Sequence, residues 1–177
     1  HTVSVICYAP NGSSYFCPAS TTVGQLIRIA GTGEPGAELG PSNDARQSQL
    51  NSPHGVAIAL GNILFIADSG NHAIRVVSPS ASSPSGWVIS TNSGATGAGF
   101  GTLGMPGTGY NQLNYPYALD IRWATPGDIS TARLLVADAQ NHAIRECTSA
   151  GCGWLLGNGR PGFLDDGPLS TLSAGAN

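Results

Sequence analysis

From Gly55 to Asp68 the chain reads GVAIALGNILFIAD, two apolar runs joined by Gly61-Asn62, a two-residue link of the kind that closes a tight hairpin. In the first run Val56, Ile58 and Leu60 fall on one face and Ala57 and Ala59 on the other. The second run, Ile63 to Ala67, is apolar at every position, the pattern of a strand covered on both faces. Asp68 to Asn71 then predicts a turn, with the left-handed residue expected at Asn71. Ala73 to Val77 and Trp87 to Thr91 follow as third and fourth strands.

This pattern repeats. QLNSP at 49–53 returns as QLNYP at 112–116, and ILFIADSGNHAIRVV from Ile63 aligns with LLVADAQNHAIREC ending at Cys147. Asp68, Asn71, His72 and Arg75 thereby recur as Asp138, Asn141, His142 and Arg145. The opening residues HTVSVIC fit as a degenerate third copy, with His1, Val3 and Val5 where His72, Ile74 and Val76 stand, and GTGEPG from Gly31 returns as GNGRPG from Gly157. Gly24 to Ala30 and Gly153 to Leu156 supply further fourth strands.

Four short antiparallel strands per unit, stacked face to face, describe an all-β fold, the β-propeller. Residues 1–52 read as the end of one blade and its connecting loop, 53–115 as a complete repeat unit, and 116–177 as a second unit. Propellers close with about four to eight blades. About two and a half are present, so further blades, from a longer chain or from copies of this one, are expected to complete the ring.

Composition narrows the function. With 25 Gly and 12 Pro in 177 residues and only 10% charged, against about 25% in an average domain, the chain suits a turn-rich fold rather than long helices. All seven basic residues are arginine and the net charge is -3, which argues against nucleic acid, whose phosphates require clustered cations. The longest apolar runs have five residues, too few to span a bilayer.

Cys7 and Cys147 end the third strands of their blades, and Cys17 and Cys152 precede the fourth. This register pairs Cys7 with Cys17 and Cys147 with Cys152, and implies an oxidising, extracellular setting. The competing reading is a zinc site, for which no C-x-x-C spacing occurs. The middle blade has no cysteine there and carries a Ser/Pro stretch instead. Pro79, Ser80, Ser82, Ser83, Pro84 and Ser85 read as a solvated loop open to O-linked sugar or as an unmodified insertion. Asn11, in Asn11-Gly12-Ser13, is a sequon at the tip of the Cys7 to Cys17 loop.

The segment PHGVAIALGNILFIADSGNHAIRVV resembles the NHL repeat, named for the Asn-His-Leu that stands here as Asn71-His72-Ala73 and Asn141-His142-Ala143. The resemblance implies a β-propeller and leaves the function open, because one fold carries many functions. Where this chain has His54, NHL-like amidating lyases carry one of three zinc-binding histidines, which makes His54 a candidate ligand. Tyr117 stands at the equivalent position in the next unit and removes that ligand there. A zinc-dependent lyase or a hydrolase with its site in the central channel is therefore the alternative reading. His72, His142, Arg75 and Arg145, each repeated, read as scaffold: the histidines bonding their turns and the arginines pairing with Asp68, Asp138 or Asp120. GTGEPG and GNGRPG satisfy G-x-G-x-x-G but lack the following helix of a dinucleotide site. Asp165-Asp166-Gly167 lacks the alternating oxygens of a calcium loop. No cofactor is expected. The composition is similar to extracellular glycoproteins of algal coats, fibres and flagellar hairs. The reading is thus a non-catalytic structural or protein-binding propeller segment of a secreted glycoprotein, coated with glycan and suited to a filament.

Overall fold

The computed structural model describes residues 1–7, 16–17, 22–94, 112–123, 132–148, 151–157 and 159–162. Its strands are β1 (Val3–Ile6), β2 (Leu26–Ala30), β3 (Pro53–Ala59), β4 (Ile63–Asp68), β5 (Ala73–Pro79), β6 (Trp87–Gly94), β7 (Pro116–Trp123), β8 (Ala132–Asp138), β9 (Ala143–Thr148) and β10 (Gly151–Gly157). Among the described residues there is no α-helix; the short helical turns are all of the 3-10 type. β3 to β6 and β7 to β10 each form an antiparallel four-stranded sheet in chain order, and β1 pairs with β2 in a third sheet. These are propeller blades, two with four strands and one represented by its third and fourth strands.

The alternation in β3 has the expected consequence. Val56, Ile58 and Leu60 lie on one face and are exposed, while Ala57 packs into the core on the other. β4 is covered on both sides: Leu64 and Ile66 belong to the core facing β1 and β2, and Ala67 and Phe65 to the core facing β7 and β8. The link between β3 and β4 runs through Leu60–Asn62, with Gly61 and Asn62 both at positive φ as a primed hairpin turn requires.

Two apolar cores therefore lie between blades rather than within one. In the first, Phe16 stacks on Trp87 with ring centroids 4.8 Å apart, joining the loop before β2 to the outer strand β6. In the second, Leu119 and Ile121 of β7 pack beside Ala57 and Phe65. The first strands of the two blades approach so closely that a Cβ on Gly55 would stand 2.6 Å from the carbonyl oxygen of Tyr117.

A glycine at positive φ stands at the end of each fourth strand, Gly31 directly after β2 and Gly94 and Gly157 as the last residues of β6 and β10. A side chain there would strike the carbonyl oxygen of His1, His72 or His142 respectively. Gly94 is the middle member of a series whose outer members the sequence shows as GTGEPG and GNGRPG. The first of those loops continues to the 3-10 turn Pro41–Asn43 rather than into an α-helix.

Gly94→Ala is expected to destabilise the protein by about 2–3 kcal/mol, through left-handed backbone strain and collision with the His72 carbonyl. Gly86, also at positive φ but with nothing within 4 Å of an added Cβ, isolates the backbone contribution. Gly86→Ala should cost about 1 kcal/mol. Urea denaturation of both variants checks the difference, and equal losses would contradict it.

Candidate functional site

The turn after β4 is built around one buried carboxylate. Asp68 Oδ1 accepts the backbone N–H of Asn51 at 2.7 Å; its Oδ2 accepts Nδ2 of Asn71 and Nε of Arg75, both at 2.8 Å. The second copy repeats this. Asp138 Oδ1 accepts the N–H of Asn114 at 2.7 Å, and its Oδ2 accepts Nδ2 of Asn141 at 2.8 Å and Nε of Arg145 at 3.0 Å. All four side chains of the two ion pairs, Asp68 with Arg75 and Asp138 with Arg145, are buried. The guanidinium of Arg75 also donates to Thr91 Oγ1 and to the carbonyl of Ala37, whereas that of Arg145 lies 4.1 Å from the ring centre of Trp154. Trp154 pairs with Arg145 at the register position that Thr91 holds beside Arg75, so a cation–π contact stands in for a hydrogen bond.

The left-handed residue differs from the sequence expectation. His72 and His142 adopt it, at φ 54 and 49, while Asn71 and Asn141 remain in the 3-10 turn with their amides bonded to the aspartates. This places the His72 ring against the following blade, where Nδ1 accepts the backbone N–H of Tyr115 at 3.1 Å. His1 does the same for Ser52 at 2.9 Å. The His72 and His1 side chains thus reach the following blade, while the backbone N–H groups of His72 and His142 bond their own turns, donating to the carbonyls of Ser69 at 3.1 Å and Ala139 at 3.2 Å.

Where β3 and β7 begin, these turns form a rim. His54 packs against Tyr117, centroids 4.5 Å apart, and Tyr115, centroids 5.5 Å apart. His54 and Tyr117 are exposed, so an aromatic cluster faces solvent. Beneath it, the Ser69 hydroxyl donates to the carbonyl of Pro116 and lies 3.0 Å from His54 Nδ1. Ser69 thereby touches His54 of its own blade and Pro116 of the next. Among the described residues no group of three His, Cys, Asp or Glu side chains is placed to hold a metal at His54 or elsewhere.

Both disulfides have the expected pairing, Cys7–Cys17 and Cys147–Cys152. The latter joins residues directly opposite in β9 and β10, and its Cys152 Sγ lies 3.2 Å from Ser93 Oγ of the neighbouring blade. In the middle blade the same hairpin is held by Asp44. Asp44 Oδ2 accepts the Ser83 hydroxyl at 2.6 Å and the Ser85 N–H at 2.9 Å, and its Oδ1 accepts the N–H groups of Arg46 and Gln47. Burial opposes ionisation of Asp44, but hydrogen bonds from Ser83, Ser85 and Arg46 outweigh it and hold the carboxyl below its ordinary value of 3.8. The Ser/Pro segment is thus a docked turn. Ser83 is buried and bonded to Asp44 and the Trp87 carbonyl, whereas Pro79, Ser82 and Pro84 are exposed, with Ser80 and Ser85 half-buried. Asn11 lies outside the described residues.

The family profile of the NHL repeat matches residues 50–77, a span that contains β3, β4, the Asp68 turn and most of β5. That stretch is an NHL repeat, a kind of repeat that serves as a protein-interaction module. Comparison with curated proteins gives no significant match. No helix among the described residues is long and apolar enough to cross a membrane, and the two disulfides are compatible with an extracellular location.

The sequence reading did not assemble the His54–Tyr115–Tyr117 cluster or find Asp44. The available signals were the Ser/Tyr and His/Tyr differences within otherwise repeated QLNSPH and QLNYPY, and an Asp placed to cap the turn Ala45–Gln47.

Asp68→Ala leaves the Arg75 guanidinium buried without its carboxylate and should cost about 3–5 kcal/mol in urea denaturation. Asp120→Ala, whose carboxylate is exposed and accepts only its neighbour's N–H among the described contacts, should lie within about 0.5 kcal/mol of the wild type. For Asp44 the folded carboxyl titrates below the unfolded one. Its stabilisation is present at neutral pH and disappears as pH falls through the folded value. Asp44→Asn should therefore cost about 1–3 kcal/mol at pH 7, with the deficit shrinking below about pH 4. Denaturation at a series of pH values checks this, and a deficit independent of pH would contradict it.

Proposed function

We propose that the chain is a non-catalytic, protein-binding segment of a β-propeller in a secreted glycoprotein, a rigid unit suited to an extracellular fibre, coat or flagellar hair. The observation that carries the binding role is the cluster of exposed His54 and Tyr117 with half-buried Tyr115 on a rim whose supports are repeated between blades. Asn51, Pro53, Asp68, Asn71, His72 and Arg75 have identical counterparts in the second unit, while the rim differs, with Ser52 against Tyr115 and His54 against Tyr117. Constant supports beneath varied exposed aromatics suit recognition, since large aromatic side chains dominate protein-binding energetics and rigid presentation lowers the ordering cost.

The two disulfides support secretion, and the exposed Ser82 with half-buried Ser80, flanked by Pro79 and Pro84, supports O-linked sugar on the β5–β6 turn. Ser83 is the poorest acceptor of that group because its hydroxyl is engaged. Asn11 is the proposed N-linked acceptor. Further blades of the same kind, from a longer chain or from copies, are the proposed neighbours.

Secretion of the chain from a glycosylating host, followed by intact mass measurement, tests the reading. The expected mass exceeds the 17.9 kDa sequence value, falls on enzymatic removal of N- and O-linked sugar, and rises by four hydrogens on reduction. Substituting Ser80 and Ser82 by Ala should lower the O-linked part, whereas Ser83→Ala should not. A product at the sequence mass, without sugar, would overturn the glycoprotein reading.

A further inference from the structure

Where each four-stranded blade begins, two consecutive backbone N–H groups are divided between two kinds of acceptor. Asn114 donates to the Asp138 carboxylate of its own blade, and Tyr115, the next residue, donates to His72 Nδ1 of the preceding blade. Asn51 and Ser52 repeat the division, with Asp68 and His1 as the acceptors. Ser52 and Tyr115 have positive φ, at 47 and 56, so each imidazole holds a residue in a conformation that few side chains favour.

A backbone N–H can only donate, which settles the state of the His72 ring. Nδ1 presents its lone pair to Tyr115, and the proton of the neutral imidazole is on Nε2. A second proton would go to Nδ1, and donor would then face donor at the Tyr115 amide. The neighbouring bond responds differently, because Asp138 is buried and its ion pair with Arg145 keeps it an acceptor for Asn114. Histidine is the side chain whose ordinary change of charge falls between about pH 5 and 8.

On the turn and third strand that carry His72, the charged groups are Asp68 and Arg75, which bond each other. Glu34 and Glu38 flank Gly36 and Ala37, whose carbonyls accept from Asn71 and Arg75. β7 carries Tyr117, Asp120 and Arg122, and β3 carries His54, whose ring meets that of Tyr115. The ion pairs among the described residues are Asp68 with Arg75 and Asp138 with Arg145, so none of those carboxylates is paired with the His72 imidazole. His54 is the other histidine beside Tyr115 and has to be separated from His72 by the test.

We infer that His72 is an acid-released latch between successive blades. At neutral pH and above, its unprotonated Nδ1 holds the Tyr115 amide. As pH falls, one proton is taken up at Nδ1, the Tyr115 N–H···Nδ1 bond breaks and the amide is left to water. The carboxylate networks and the strand ladders on either side remain formed, so the boundary loosens while each blade stays folded. The latch needs neither a partner at the rim nor sugar on the outer turns.

Hydrogen exchange followed by NMR on the full chain at about pH 7.5 and about pH 5, with each rate divided by the intrinsic rate at that pH, tests the latch. Protection of the Tyr115 amide should fall at least about tenfold on acidification, whereas that of Asn114 should change by less than about twofold. The midpoint of the fall should coincide with protonation of His72 Nδ1, read from its nitrogen-15 shift. His72→Asn sets an amide oxygen in the place of Nδ1, tolerates the left-handed backbone and does not titrate, so its Tyr115 protection should be equal at both pH values. His54→Gln should retain the full fall. Protection at Asn114 reports in each variant that the second unit is folded. Unchanged Tyr115 protection in the wild type, an equal fall at Asn114, a midpoint apart from that of His72, or a fall that persists in His72→Asn would overturn the proposal.

Discussion

The buried carboxylate of Asp68, with its copy Asp138, is the constraint on which the blade depends. Its oxygens meet donors from three places: the backbone before the first strand, the turn residue Asn71, and the third-strand Arg75. A charge removed from water is costly unless its lone pairs are occupied and a counter-charge is close. The aspartate therefore fixes the entry to β3, the shape of the β4–β5 turn and the position of β5 together. A strand pair moved by one residue would present Arg75 to the wrong face and leave the carboxylate without its ion pair. The apolar alternation sets which face is buried; the Asp–Asn–Arg network sets which residue lies opposite which.

From that network the geometry extends to the rim. Once Asn71 is held by the aspartate, the left-handed step falls on His72, and the imidazole is carried across the boundary to the Tyr115 amide. Tyr115 itself has positive φ, an uncommon conformation for an aromatic residue, and is positioned through Asp138 bonding its neighbour Asn114. The aromatic cluster is thus supported from two blades at once. His54 comes from one, Tyr115 and Tyr117 from the next, and the Ser69 hydroxyl bridges them by bonding Pro116.

Local pattern made the strands legible, because a period of two in β3 and an unbroken apolar run in β4 follow from how many faces each strand buries. Internal repetition made the disulfides legible: the register placed Cys7 with Cys17 and Cys147 with Cys152 without knowledge of any distance. The remainder depends on contacts between distant residues with no shared local pattern. His72 meets the amide of Tyr115, and Asp44 meets Ser83, each across several tens of residues. Gly94 escaped notice because the residues around it do not preserve GTGEPG; its requirement comes from the His72 carbonyl opposite. The left-handed position was misplaced by one residue because turn propensity favours Asn, whereas a side-chain bond to Asp68 outweighs that preference here.

The third-to-fourth-strand hairpins show one mechanical problem met in two ways. In each, a loop between two strands must be held. Two carry disulfides, and the middle one carries Asp44, which bonds the Ser83 hydroxyl and the Ser85 amide from the connection that arrives from the preceding blade. The covalent staples act within one hairpin, although Phe16 beside Cys17 extends the first onto Trp87. The aspartate staple acts between blades. Combined with the bond from Ser52 to His1, it ties the middle blade to its predecessor at two places, so that the first interblade core is clamped rather than simply stacked. Every one of these boundary contacts is heterologous, with unlike surfaces meeting head to tail. Such a contact propagates in one direction and ends only when the rotation between successive blades closes a ring.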